Sequence, residues 1–145
     1  MSALEILEGL LALDQPTTLV METEGPGSSL RGWTLDEARE GLRESLVPGH
    51  FPPWLHFCAQ QLRKGRACVL ATVVETQGST GLSLGDRFAY DEKNHGLLPM
   101  DPAFSLDLGR FCDRVRDTGS LQQHRFTFPQ GTATLVIEGL RPTPE

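Results

Sequence analysis

The chain has no surplus of positive charge. Its 145 residues hold 13 Lys and Arg against 19 Asp and Glu, a formal net charge of −6. A general nucleic-acid binder needs a basic patch to neutralise phosphates, so no nucleic-acid partner is expected. The densest basic cluster, Arg63, Lys64 and Arg66, is too small for a polybasic arm. Long apolar runs are missing as well. None approaches the roughly 20 residues that a membrane span requires, so no membrane span is expected. The opening stretch MSALEILEGLLALDQ carries Glu5 and Glu8 and no basic flank, which argues against a secretory signal. Cysteine is scarce and odd in number, three in all, so no disulfide framework is expected. A reducing, cytoplasmic setting is the expectation that follows.

Several site signatures are absent. Cys58, Cys68 and Cys112 form no CxxC pair. Cys58 on a helix's apolar face and Cys68 at the entry of an apolar strand read as small buried hydrophobes. His50, His56, His95 and His124 form no HxxxH or HExxH set, so no metal site is expected. No Gly-Lys-Ser/Thr phosphate loop and no GxGxxG turn occurs. Neither a matched nucleophile–base pair nor any other catalytic set stands out.

What is present is ordinary for a soluble globular domain: 39% apolar and 22% charged residues, in a length that fits one domain with a real core. The chain reads as an α/β (α+β) fold, a single domain with a small mixed sheet flanked by helices. Ala3 to Leu13 places Leu4, Leu7, Leu10 and Leu11 on one face of a helix, which Pro16 ends. TTLVMET is a short strand. Thr34 with Glu37 forms a capping box, which predicts a second helix through LDEAREGLRESL to Pro48. A third helix starts near Pro53, buries Trp54, Leu55, Cys58 and Leu62, and stops at Lys64 and Gly65. ACVLATVVET is a strand apolar enough for burial on both faces. GDRFAYD is a second strand leading into the turn DEKNHG. Ser105 to Thr118 is a helix, and TATLVIEGL is the last strand. Trp33 and Trp54 are expected as core or interface anchors. A weak internal similarity links Val20–Ser29 to Val73–Leu82, each a strand running into a turn. It reads equally as a duplicated half or as coincidence between two ordinary turns.

The stretch VVETQGSTGLSLG, Val73 to Gly85, carries the most chemistry. Gly78, Gly81 and Gly85 let the backbone take positive φ and let a ligand come close. Ser79, Thr80 and Ser83 add hydroxyls, and the loop's N–H groups are candidates for an anion-binding nest. On chemistry alone, a plain turn between two strands is the favoured reading.

A resemblance adds to this. Residues 62–96, LRKGRACVLATVVETQGSTGLSLGDRFAYDEKNHG, resemble the N-terminal domain of the XdhC/CoxI family. The family pattern is a helix ending in a basic-Gly turn, a strand, Gly-Ser-Ser-Pro-Arg, Gly, and a strand ending at an Asp-Gly turn. Ala71, Thr72, Val73 and Val74, then Gly78, Ser79 and Thr80, then Gly85 match it, and GTATLVIEGLRPTP resembles the closing strand. The similarity spans Leu62 to Pro144. It implies a single XdhC/CoxI-like domain over 1–145, with 1–50 a divergent extension and 51–145 the region of resemblance, and without the family's C-terminal nucleotide-binding domain.

Family members mature molybdenum hydroxylases and bind the molybdenum cofactor. The resemblance therefore implies an accessory protein whose partner is a molybdenum hydroxylase or a maturation protein. In that role Gln77, Gly78, Ser79, Thr80, Gly81 and Gly85 form the ligand loop. Ser79 and Thr80 donate to an anionic group and Gln77 orients it. The departures point to a degenerate site. Gly81 and Leu82 replace the family's Pro-Arg, and GLLPMDPAFSLD replaces its second glycine-rich turn, where only Gly96 fits. Weak or absent cofactor binding is expected, and a homo-oligomer with it. Two other readings stay open: an interaction or scaffold module without ligand, and a small enzyme using Asp86, Asp91 and His95.

Overall fold

The computed structural model describes residues 2–21, 34–35 and 41–142. Helix α1 (Ala3–Leu11) opens on Ser2, whose hydroxyl accepts from the Glu5 N–H. Strand β1 (Thr17–Met21) follows and pairs antiparallel with β2 (Leu42–Leu46). Next come α2 (Pro53–Arg63) and β3 (Cys68–Ser79), then β4 (Arg87–Tyr90) and the short β5 (Gly96–Leu97). The chain closes with α3 (Pro102–Thr118), β6 (Leu121–Phe128) and β7 (Gln130–Leu140).

The main sheet has five strands in the order β5-β4-β3-β7-β6. Side chains of β3 alternate between two cores. Val69, Ala71 and Val73, with Tyr90, Leu135 and Ile137, pack on Phe104, Leu108, Cys112 and Val115 of α3. Cys68, Leu70, Ala89 and Leu140 face the other way, onto α1, α2 and the β1–β2 pair. Strand β3 is thus buried on both faces, as its apolar run predicts. Leu7, Leu10, Leu19 and Leu46 share a core with Trp54 and Leu55, so residues before 50 belong to the same α+β domain.

Two expectations need correction. The sheet is not mixed: every pairing is antiparallel. The reason is the path of α3, which carries the chain from β5 at one edge to β6 at the other. Strands that run the same way, β3, β5 and β6 in one direction and β4 and β7 in the other, therefore never become neighbours. The helix expected from Thr34 to Leu46 is also overturned at both described ends. Thr34 makes a β-bridge with Val20, their N–H and C=O groups bonded at 2.8 and 3.0 Å. Leu42–Leu46 is strand β2, with Leu46 opposite Thr17. A spacing of four between Leu42 and Leu46 fits a helix turn and a strand's period of two alike, and burial on the sheet decided it. Glu37, Trp33 and most of the segment similar to the glycine loop lie outside the described residues.

The sequence reading also passed over β5 and β6. In β6 only Phe126 is fully buried, because it is an edge strand, so alternation leaves almost no apolar trace. Helix α3 starts three residues before the expected Ser105. Asp101 caps it, accepting from the N–H groups of Ala103 and Phe104 at 3.0 and 3.4 Å, and Pro102 occupies the first turn.

Candidate functional site

The glycine loop begins inside the sheet rather than after it. Gln77, Gly78 and Ser79 are the last residues of β3 and pair with Thr132, Gly131 and Gln130. Gly78 has φ +73°, and a Cβ there would overlap the carbonyl oxygen of Gln130. Gly131 opposite is equally tight, its Cβ position overlapping the Gln77 carbonyl. Sheet pairing alone therefore requires glycine at 78. Gly81 and Gly85, at φ +77° and +86°, have open space around them and serve the turn's backbone conformation.

Three of the loop's N–H donors, those of Leu82, Ser83 and Gly85, are taken by the loop's own groups and by β3. Val73 exchanges bonds with the loop's end: Gly85 N–H donates to the Val73 carbonyl and Val73 N–H to the Asp86 carbonyl, both at 2.9 Å. Leu82 N–H donates to Thr80 Oγ1 at 3.2 Å. Ser83 N–H donates to Asp86 Oδ2 at 2.9 Å, and Asp86 N–H to the Ser83 carbonyl at 3.1 Å. Gln77 reaches back along the strand, donating to Glu75 Oε1 at 3.2 Å, and orients nothing in the loop. Ser79 is exposed.

The second turn of the resemblance, residues 96–102, forms one wall of a groove of ≈ 460 Å³ against α3. Tyr90 and Ser105 lie at its base, the Tyr90 hydroxyl donating to the Ser105 carbonyl at 3.3 Å. Leu98, Met100 and Leu106 flank it, 41%, 99% and 64% exposed. At its far end Asp113 Oδ1 accepts from Arg116 Nη1 at 2.9 Å and from Asn94 Nδ2 at 3.1 Å, and Arg116 also donates to Asn94 Oδ1. The carboxylate of Asp101 sits on the α3 N-terminus, the place where a helix most readily holds a phosphate.

The acid–base candidates do not converge as a catalytic set. Asp86 is the loop's internal acceptor. Asp91 Oδ1 accepts from the Lys93 and His95 N–H groups at 2.8 and 2.9 Å. All four histidines are exposed, and no cluster of metal-ligand type occurs among the described residues. The three cysteines are buried and free. Burial pushes the Cys112 thiol up to about 12. A hydrogen bond with Cys68, then burial, raises Cys58.

Sequence reasoning missed the polar contact beneath β4. Arg87 is ion-paired with Glu44 and stacks over Trp54, 5.1 Å from its ring centre. Trp54 Nε1 donates to Glu44 Oε1 at 2.9 Å. No local signal marks Glu44, because its partners lie 10 and 43 residues away. The start of α3 was legible, since Asp-Pro is an N-cap followed by a first-turn proline. No helix among the described residues is long and apolar enough to cross a membrane. No protein-family model, curated protein or solved structure matches the chain.

Proposed function

We propose that this chain is an accessory protein of molybdenum-hydroxylase maturation whose cofactor site has degenerated, and that it works through protein contacts. One observation carries the reading. Each of the two places where the XdhC/CoxI resemblance expects an anionic cofactor carries one of the chain's own carboxylates, Asp86 on the Ser83 N–H and Asp101 on the first turn of α3. A pterin phosphate arriving at either meets an occupied donor and a like charge. The order of elements supports the resemblance: α2 ending at a basic-Gly turn, β3, the glycine loop, β4, the Asp91 turn and the closing β7. The contact surface we assign is the groove beside α3, where Leu98, Met100 and Leu106 expose apolar area beside a polar base.

Titration with isolated molybdenum cofactor, followed by pterin fluorescence, tests the site. Binding weaker than micromolar, less than about 8 kcal/mol, is expected. Saturation well below micromolar would overturn it. A pull-down with a purified molybdenum hydroxylase tests the contact: Met100→Glu with Leu106→Glu abolishes it while the melting temperature holds.

A second reading, a scaffold that self-associates, draws on β6. This eight-residue strand is an edge of the sheet, and among the described residues nothing pairs with its outer side. Open edges of that length invite strand addition. Light scattering together with the pull-down separates the readings: a dimer that proline at Gln123 breaks, in a protein that captures no molybdenum hydroxylase, supports the scaffold.

A further inference from the structure

We propose that the cleft between the end of α2 and the turn joining β4 to β5 is a binding site for a small phosphomonoester that carries hydroxyl groups. The cleft has a volume of ≈ 440 Å³ and is lined by Gln61, Arg66, Asp91, Glu92, Lys93 and His95. Every lining residue is polar or charged.

Gln61 is the first indication that the cleft is built for a ligand. The residue as a whole is only 9% exposed, and its side-chain amide opens onto the cleft with no hydrogen-bond partner among the described residues. A ligand group that bonds to this amide takes the place of the solvent that otherwise reaches it. The cations are the second. Arg66, Lys93 and His95 line the same cleft and form no ion pair among the described residues.

The neighbouring carboxylates are already engaged on one oxygen each, by backbone rather than by these cations. Asp91 Oδ1 accepts from the N–H groups of Lys93 and His95, and Glu92 Oε1 accepts from the Ala67 N–H at 3.2 Å. Arg66 and Lys93 balance the charges of Asp91 and Glu92, so a phosphate entering here meets cations as well as carboxylates, and the hydrogen-bond donors outnumber the acceptors left open. An arginine fork, a lysine and an imidazole beside a primary amide suit a group with three terminal oxygens better than a carboxylate with two. Asp91 Oδ2 and Glu92 Oε2 remain as acceptors, and hydroxyl groups are their natural partners. The volume exceeds what a bare phosphate fills, which leaves room for a short polyol body.

The walls are held in place before any ligand arrives. The Glu92–Ala67 bond ties the turn to the start of β3. Arg66 N–H donates to the Gln61 carbonyl at 3.0 Å, and Asp91 N–H to the His95 carbonyl at 2.8 Å. Asn94 completes the turn at φ +60°. Such preorganisation lowers the ordering cost of binding. The proposal stands apart from the maturation reading, and its test involves no molybdenum cofactor.

The experiment is calorimetric titration of the full chain with inorganic phosphate and with glycerol 3-phosphate, mapped by amide chemical shifts. Saturable binding is expected for both, with glycerol 3-phosphate about tenfold tighter and in the range of about 1 mM or below. Shifts should concentrate at residues 61–67 and 91–95. The double variant Arg66→Gln, Lys93→Gln should weaken both ligands by at least about tenfold. Gln61→Leu keeps the volume and should weaken binding with the melting temperature unchanged. Because Arg66 and Lys93 are exposed, their double variant reports on binding even if Gln61→Leu perturbs the helix. Absence of saturation up to about 20 mM, or binding that the double variant leaves intact, overturns the proposal. Succinate binding as tight as glycerol 3-phosphate would overturn the assignment of the phosphate.

Discussion

Glu44 on β2 and Arg87 on β4 form an ion pair that locks the N-terminal strand pair onto the main sheet. Their side chains are 20% and 6% exposed. Burial lowers the Arg87 pKa, and the nearby Glu44 carboxylate opposes that shift. The same carboxylate accepts from the Trp54 indole, so one residue ties β2, α2 and β4 together. Glu44→Ala removes both contacts at once, and a loss of about 3 kcal/mol in urea unfolding is expected. Replacing the pair with Leu at 44 and Met at 87 should recover most of that loss, because neither charge of the pair is then left buried without its partner. A Glu44→Ala variant as stable as the parent would mean that the pair contributes nothing.

Gly78 and Gly81 should respond differently to the same substitution. At Gly78, alanine meets both a left-handed backbone and the Gln130 carbonyl, so Gly78→Ala should cost about 2 kcal/mol or more. At Gly81 the added methyl enters open space, and only the positive φ is penalised, about 1 kcal/mol. Chemical denaturation of the two variants side by side checks this. Equal losses would remove the argument that pairing with Gly131 dictates glycine at 78.

This contrast shows what the sequence can disclose about the site. Glycines at 78, 81 and 85 were legible as positions needing unusual backbone, and all three have positive φ. Their purpose was not legible, because the residue that decides Gly78 is Gly131, more than fifty positions away. Helices α1, α2 and α3 and the buried β3 could be read directly, since each carries a strong periodic or continuous apolar signal. β2 and β6 could not. One shares its four-residue spacing with a helix, and the other is an edge whose faces are mostly wet. Gln61 was hidden for a related reason: a polar residue on an amphipathic helix gives no sign that it faces inward.

The cysteines offer a test of the core. Cys58, Cys68 and Cys112 are each fully buried, and burial holds the Cys112 thiol in its protonated form. Thiolate is the reactive species. Native protein at pH 8 should therefore give no fast reaction with a thiol-specific disulfide reagent, and all three thiols should react in denaturant. A rapid equivalent in the native state would place one of them at the surface.

Tyr90 provides the pH prediction, and it is a clean one because the chain has a single tyrosine. The side chain packs under α3 with 1% exposure. Burial is the main cause that pushes its pKa from 10.0 up to about 12; the Ser105 hydrogen bond pulls the other way, and Cys112 adds a small push. The folded state thus favours the protonated phenol more than the unfolded state does. That stability is fully present below the unfolded pKa near 10 and is lost as pH rises towards about 12. Absorbance at the tyrosinate band should stay flat through pH 10 while circular dichroism reports a native fold. Ionisation should then appear near pH 12, or together with alkaline unfolding if that comes first. Tyr90→Phe keeps the ring, removes the titrating hydroxyl, and should shift alkaline unfolding to higher pH. A tyrosinate signal with a midpoint near 10 in protein that remains native would show that the hydroxyl reaches water. The packing of β4 against α3, and with it the base of the groove, would then be different from the one described.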